Sequence, residues 1–428
     1  MHHIVVLGAG YAGAGAAGYL ARRLGSDEVE ITVVNAEPHF VERLRLHQLV
    51  AGHPRDPIPL SKVFEGTGIR LRVAYVTAVD PVARTVTIRT KSTAATVPDQ
   101  HSIDETSIGD TETLEYDTLL YALGSGVDAS VPGVGQHAFD LATRPTAERL
   151  RDRLDELEAL AEHGHGDSVL VVGGNLTAIE AATEIAESRP TLDIQLVTAG
   201  QLGGWLGPTG RAHLLGAFER LGIEVHEHAT VTRVEPDGLV TADGRRFRGT
   251  TVWAAGFAVP PIAAASGLEV QDSGRILVDR TMRSVSHPTV YAIGDSAYVI
   301  GDNGQPLPMS CASASLTRMR ATAAIVHQLT GSKSPNTRLT YFGNCISLGQ
   351  RDGILQVADG AGQARSWAVT GRPAALVKAG VLNGTVWNLT HPTLGMPSRK
   401  RRLANSQDTR GDRRKPSTDD EPTGRVAA

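Results

Sequence analysis

The sequence predicts an α/β fold with two parallel-sheet units, and three observations predict it. An apolar strand, a glycine turn, a small-residue helix and a second strand follow one another twice, from Ile4 to Val34 and from Val169 to Val197. A further apolar strand ending in glycine accompanies each copy, Asp117 to Gly124 and Thr251 to Gly256. Glycine is also in excess, 46 of 428 residues against an average share of about 7%, and it gathers in those turns. Strand, turn, helix, strand is the βαβ unit of a parallel sheet. Two copies imply two Rossmann-like dinucleotide-binding domains.

The first copy opens with Ile4-Val5-Val6-Leu7 and turns at Gly8-x-Gly10-x-x-Gly13. In such a turn the first glycine makes the bend, the second lets a pyrophosphate approach the backbone, and the third allows close packing of helix on sheet. The helix N-terminus then offers free N–H groups to phosphate. The second strand ends at Asn35, where an acid ordinarily holds the ribose hydroxyls. Glu37 stands two residues on, and the Asn35 amide can itself bond a hydroxyl. Strands are expected at Arg72–Val79 and Thr85–Arg89. Residues 91–113 are polar and nearly free of large apolar side chains, and read as a surface insertion without structure of its own.

Leucine spacing and i,i+4 charges predict a helix over Arg144–Glu162. The second copy keeps Gly173 but carries Asn175 at the close-approach position and Ala178 at the packing position. Asn175 puts a Cβ where a pyrophosphate would come nearest, while alanine is tolerated at the last place. Glu180 follows on the first turn of the helix, a position that also suits the helix dipole without any ligand. The strand before Gly294-Asp295 sets a carboxylate at the C-terminal edge of a sheet, where ligands of open α/β sheets lie. Beyond it come a helix from Ala312 to Leu329, strands between Thr340 and Val369, and a helix from Ala374 to Leu389. Cys311 falls at the start of the first of these helices, a place that can lower a thiol pKa, and it reads equally as a small packing cysteine. Residues 396–428 carry nine Lys or Arg against five Asp or Glu, and read as a disordered basic tail.

Several function classes are excluded. Two cysteines without dithiol spacing make neither a disulfide scaffold nor a dithiol redox centre. A net charge of −4 argues against a chain that coats nucleic acid. The HxH pairs at 163/165 and 226/228 lack further ligands at diagnostic spacing, so no metal site is expected. Neither a secretory signal nor a membrane-spanning run of about 18 apolar residues is expected. A cytoplasmic location is expected, with peripheral contact at the inner face of a membrane left open by the basic tail.

With these motifs in this order, the chain resembles the two-dinucleotide-binding-domain FAD/NAD(P)-dependent oxidoreductases, and within them the type II NADH dehydrogenase-like branch. The resemblance runs from about His3 to Leu389 and implies an FAD-binding domain at 1–140, resumed at 275–340. It implies an inserted NAD(P)H-binding domain at 141–274, a C-terminal region at 341–395, and NAD(P)H as co-substrate. FAD would then be held by Gly8, Gly10, Gly13, Asn35, Glu37, Val76, Gly124, Gly294 and Asp295, with Val41–Gly52 beside the flavin. The nicotinamide nucleotide would lie on Gly173, Asn175, Ala178 and Gly256, with Glu180 matching a glutamate of that site. The helix opening at Cys311 would point its N-terminus at the flavin ring, where it stabilises negative charge on the reduced form. Hydride would pass from NAD(P)H to flavin, and electrons onward to a small molecule or a redox protein.

Quinone-reducing members carry an AQxAxQ pattern at that helix. Here Ser310-Cys311-Ala312-Ser313-Ala314-Ser315 stands in its place without either glutamine. Two other readings remain open: an FAD enzyme with a vestigial nicotinamide domain acting on a specialised small molecule, and a flavin-binding redox sensor without turnover. The resemblance also leaves room for a homodimer.

Overall fold

A computed structural model describes residues 1–91, 108–161, 167–333, 338–359, 361–393 and 399–404. The first half of the chain builds β1 (His2–Leu7), α1 (Tyr11–Arg23), β2 (Val29–Asn35), α2 (Leu46–Val50), β3 (Arg70–Asp80), β4 (Thr85–Lys91), β5 (Ile108–Glu115) and β6 (Thr118–Tyr121). There follow β7 (Ala138–Asp140), α3 (Arg144–Ala161), β8 (Val169–Val172), α4 (Leu176–Ser188), β9 (Ile194–Val197), α5 (Pro208–Arg220) and β10 (Glu224–His226). Next are β11 (Val231–Glu235), β12 (Gly238–Thr241), β13 (Arg246–Arg248), β14 (Thr250–Trp253) and β15 (Val290–Ala292). Last come α6 (Cys311–Thr330), β16 (Gly343–Ser347), β17 (Gly353–Ala358), β18 (Ala364–Thr370) and α7 (Arg372–Thr390).

The main sheet runs β15-β6-β1-β2-β3-β4-β5. Its central strands are parallel and in register, with Val6 opposite both Val33 and Leu120, and Leu120 opposite Tyr291. That register brings the ends of β1, β6 and β15, and so Gly8, Gly124 and Gly294, to one edge of the sheet. Strands this apolar must be covered on both faces. Ala12, Ala14, Ala16, Ala17 and Leu20 of α1 are all buried, and α1 also packs against α6. Small side chains set that spacing: a Cβ on Gly15 would come within 2.7 Å of the Arg318 guanidinium. Burial of a residue such as Leu20 contributes about 2 kcal/mol.

The second sheet runs β7-β14-β8-β9-β10 and is parallel throughout. Its edge strand already begins at Ala138, slightly before the start expected at residue 141. The antiparallel β16-β17-β18 sheet is tied to this half where Gly207 N–H donates to Gln356 Oε1 at 3.0 Å. α7 lies across β16 and β17.

Two expectations need correction. The polar stretch 91–113 is not wholly without structure, because β5 begins at Ile108 and pairs antiparallel with β4, Thr87 opposite Thr113. Its alternation was hidden by threonine and glutamate on the strand's exposed face. The rest of the stretch lies outside the described residues. Likewise the tail is not free from residue 396 onward. Arg401 N–H donates to Arg23 O at 2.8 Å and Arg401 O accepts from Gly25 N–H at 3.1 Å, a bridge to the end of α1 that composition does not reveal. The remainder of the tail lies outside the described residues.

Candidate functional site

The glycine turn at the start of α1 is shaped by the chain itself at two of its three glycines. Gly8 has φ +93°, and a Cβ there would come within 2.4 Å of Ala122 O. A Cβ on Gly13 would meet Gly8 O at 1.9 Å. Gly10 differs, with an ordinary φ of −74° and nothing within 4 Å of its would-be Cβ. Neither backbone nor packing requires glycine at this position. The N-terminus of α1 carries no side-chain cap either, so its first N–H groups are open to an anion. A phosphate-bearing ligand fits this cradle.

The rim of the cradle is braced. Ala9 N–H donates to Asn35 Oδ1 at 2.8 Å, and Asn35 Nδ2 donates to Glu37 O at 2.7 Å. Asn35 therefore uses its amide to hold the turn, a role the sequence did not disclose. Across the strand ends, Ser125 Oγ donates to Asp295 Oδ2 at 2.7 Å and Gly124 N–H to Ser296 Oγ at 3.0 Å. Gly294 N–H donates to Thr317 Oγ1 at 3.0 Å. The segments Gly124–Ser125 and Asp295–Ser296 are thus pinned to each other beside the glycine turn. Val76 sits half-buried on β3, next to a bulge.

The second turn is built otherwise. Asn175 is the N-cap of α4: its Oδ1 accepts from Ala178 N–H at 3.0 Å and its Nδ2 donates to Ala254 O at 2.7 Å. The side chain is folded onto the helix start and the end of β14. This cap is the physical account of a polar residue at a glycine position. Ala178 is fully buried, as a packing position requires. Gly256 closes the turn after β14, packed on Asp128. Trp205, unflagged by the sequence, donates its indole N–H to Gly174 O at 3.2 Å.

Glu180 and Cys311, far apart in the chain, are brought into one cluster around Lys378 of α7. Lys378 Nζ lies 2.7 Å from Glu180 Oε1 and donates to Cys345 O at 3.0 Å. Glu180 Oε1 also accepts from Ser347 N–H at 3.0 Å and from its hydroxyl at 3.1 Å. Burial alone would raise the Glu180 pKa, but Lys378, His47 and the Ser347 N–H together hold it below its ordinary value. His47 on α2 is buried, and desolvation pushes it down to about 4, so it is neutral at neutral pH.

Of the two readings of Cys311, the structure favours a packing thiol. Burial raises its pKa more than Lys378 and the neighbouring N–H groups lower it, and the Ser310 hydroxyl caps α6 by accepting from Ser313 N–H at 3.1 Å. Cys345 is pushed up to about 11, again by burial. Both cysteines are free thiols, and the helix terminus does not offset the burial of Cys311. Sequence reasoning missed Lys378, His47 and Ser347. One signal was present: Lys378 is a lone cation in the apolar run Ala374-Ala375-Leu376-Val377-Lys378-Ala379.

Comparison with known proteins bears on this arrangement. A family model for pyridine nucleotide-disulphide oxidoreductases matches residues 2–317. An NADH dehydrogenase-like protein of Mycobacterium tuberculosis is 26% identical over 398 residues, covering 89% of this chain and 93% of its own. A type II NADH:quinone oxidoreductase of Staphylococcus haemolyticus is 26% identical over 401 residues, 88% of this chain and 92% of its own. Among solved structures, NDH2 of Plasmodium falciparum in complex with NADH superposes with TM-score 0.71 at 14% identity, covering 93% of this chain and 99% of that one. The sulfide:quinone oxidoreductase of Aquifex aeolicus gives 0.70 at 20% identity, with 92% of each covered. Two sheets with parallel central strands, each with a glycine turn, and a family match over most of the chain lead to one conclusion: this protein belongs to the pyridine nucleotide-disulphide oxidoreductase family and is an NAD(P)H-dependent oxidoreductase of its NADH dehydrogenase-like branch.

Proposed function

We propose that the protein binds FAD at Gly8, Gly10, Gly13, Gly124, Gly294 and Asp295, with Asn35, Glu37 and Val76 at the adenosine end. NADH or NADPH binds over Gly173–Ala178 and Gly256. The observation that carries this reading is the turn at Gly10, uncapped and open where the chain itself needs no glycine. FAD, when bound there, supplies a two-electron carrier between the nicotinamide and a second acceptor. The chain's own residues bind, orient and set charge: the α1 N-terminus faces phosphate, Asp295 accepts from hydroxyls, and Glu180 with Lys378 forms a fixed ion pair. The division into residues 1–140 and 275–340 for FAD and 141–274 for the nicotinamide nucleotide is supported by the membership of the two sheets.

Asn175 favours a working second site over a vestigial one, because its amide is held by Ala178 and Ala254 and the N–H groups of Leu176 and Thr177 are left to phosphate. Anaerobic addition of NADH or NADPH should bleach the yellow holoprotein, and failure with both nucleotides would overturn the reductase reading. Asn175→Gly should still bleach, with nucleotide affinity equal or tighter, at a cost of only about 0.3 kcal/mol in stability from the lost cap. Weaker nucleotide binding in that variant would mean that the Asn175 amide is itself a ligand group.

For the acceptor, a quinone-like molecule arriving from a membrane surface is supported by α7. Among the described residues no helix is long and apolar enough to cross a membrane. Yet Leu376 is 74% exposed and Trp387 46%, on the face opposite buried Lys378 and Leu382. Such an apolar face suits the interface of a bilayer. A cavity of about 590 Å³ opens beside it, lined by Glu42, Arg55, Asp56, Ile58, Asn383 and Trp387. In flotation with anionic vesicles the protein should rise with the lipid, and Leu376→Ser with Trp387→Ser should cut the bound fraction at least fivefold, about 1 kcal/mol. An unchanged fraction would refute this contact.

A further inference from the structure

The loop between β9 and α5 is fixed at several points. Leu202 and Leu206 are buried, Leu206 N–H donates to Gly203 O at 2.9 Å, and Gly207 N–H reaches Gln356. Between these anchors Trp205 is turned outward, 36% exposed, with its indole N–H on Gly174 O. Among the described residues no other ring and no cation lies against the indole. An indole left partly in water contributes less to folding than a buried one. Folding alone does not call for tryptophan at this place.

The surroundings of the second turn give it another use. Gly173 N–H donates to Val197 O at 2.9 Å, so the turn adjoins the end of β9. Gly174 faces that end, since a Cβ on it would meet Thr198 Oγ1 at 2.5 Å. In a Rossmann unit this corner takes the adenosine half of a dinucleotide, and an acid on the strand end holds the ribose. Here the strand runs into Thr198-Ala199-Gly200, with Thr198 only 4% exposed. The carboxylate that follows β10, Glu227, is taken by Leu202 N–H at 2.8 Å and by Arg211 at 3.7 Å. Neither of these two strand ends therefore offers a free acid to hold a ribose or to repel a phosphate on it.

We propose that Trp205 is the platform on which the adenine of the nicotinamide nucleotide stacks. It takes over the hold on the adenosine half that an acid gives in other such sites, and it leaves NADH and NADPH both accepted. The inference rests on the reading given under Proposed function and deepens it by naming what grips the base. A base has a flat π face, and stacking on an aromatic ring needs no hydrogen-bond code. The bond to Gly174 O and the anchored loop hold the ring in place before the nucleotide arrives, which removes the cost of ordering it. The 2′-hydroxyl is not read by a carboxylate, so a phosphate there is tolerated. Arg211 paired with Glu227 sets no net charge against it.

The test is titration calorimetry of the holoprotein with ADP-ribose, plain and phosphorylated on the 2′-hydroxyl. The two should bind wild type with Kd values within about tenfold of each other. Trp205→Ala should weaken both alike, by about tenfold or more, and Trp205→Phe, which keeps a stacking face, by less than about threefold. Thermal unfolding of both variants should stay close to wild type, because Leu202 and Leu206 hold the loop. Anaerobic bleaching by reduced nicotinamide mononucleotide, which has no adenine, should run at one rate in wild type and Trp205→Ala.

Unchanged ADP-ribose affinity in Trp205→Ala would overturn the platform. So would slower bleaching of that variant by the mononucleotide, which would mean a displaced loop rather than a lost hold on the base. A preference of more than about 100-fold for one form of ADP-ribose would overturn the acceptance of both nucleotides. Wild-type protein that binds neither form and is bleached by neither NADH nor NADPH would instead overturn the reading of the second site, which is a separate failure.

Discussion

Lys378→Met is expected to destabilise the protein by about 3–5 kcal/mol at neutral pH, the range for breaking a buried ion pair by removing one partner. Lys378 is 8% and Glu180 6% exposed, so little solvent would replace the lost ammonium group. Glu180 would keep its two bonds from Ser347 but lose the charge that offsets its burial. The loss depends on pH. In the wild type the Glu180 pKa is lowered on folding, so its contribution is present above the unfolded value and fades as pH falls. In the variant burial dominates and raises that pKa, so the penalty grows as pH climbs past the unfolded value, about 4.3. Both effects act in one direction. The difference between wild type and variant should be large at pH 8 and shrink toward pH 4. Denaturant unfolding at several pH values measures it. Equal losses at pH 8 and pH 4 would show that packing of the lysine stem, not charge, is what the variant removes. The double variant Lys378→Met with Glu180→Gln should recover much of the loss, because no unpaired charge is then left buried.

Gly10→Val should have the opposite profile, with little effect on folding and a large effect on the cofactor. The backbone at Gly10 has φ −74° and ψ −167°, within reach of any L-residue, and its Cβ direction is open. Stability of the cofactor-free protein should therefore stay within about 1 kcal/mol of wild type. A branched side chain there fills the space a pyrophosphate needs, and FAD affinity should drop at least 100-fold, about 3 kcal/mol. The protein should purify folded and colourless. Gly8→Val is the contrasting control, since its φ of +93° and the 2.4 Å approach to Ala122 O make the substitution costly to the fold itself. Equilibrium dialysis of FAD against thermal unfolding separates the two cases. A yellow Gly10→Val protein with full flavin content would place the cofactor elsewhere.

Much of the architecture was legible because it follows from local rules. Apolar runs such as Val169–Val172 bounded by glycine, and helices with small or periodic apolar faces, need only neighbours in sequence to be read. The helix placed at Arg144–Glu162 ends at Ala161, and the one placed at Ala312–Leu329 spans Cys311–Thr330, each within a turn of its expected bounds. The strand at Ile108–Glu115 was obscured for a related reason. An edge strand with threonine and glutamate facing solvent lacks the apolar alternation that marks half-buried strands.

The candidate site divides along the same line. Gly8, Gly10 and Gly13 were legible because a tight turn with close approaches leaves a residue-type signature at fixed spacing. Asn175 looked like a defect in sequence and is a helix cap in the fold, since the same amide serves either reading until its partners Ala178 and Ala254 are known. Cys311 could be read in sequence as a thiol activated by its helix terminus or as a small packing cysteine, and its burial outweighs the effect of the terminus. Burial is a property of the whole assembly.

The sequence by itself determined two parallel-sheet units, a glycine turn at Gly8–Gly13, a weakened copy at Gly173–Ala178 and the absence of a dithiol. Those features are set by backbone geometry over a few residues. Only the tertiary structure decided that Glu180, Lys378, His47 and Cys311 share one buried cluster, and that Trp205 stands against the second glycine turn. Ion pairing and desolvation depend on which distant segments pack together, and neither the period of a helix nor the spacing of a motif encodes that.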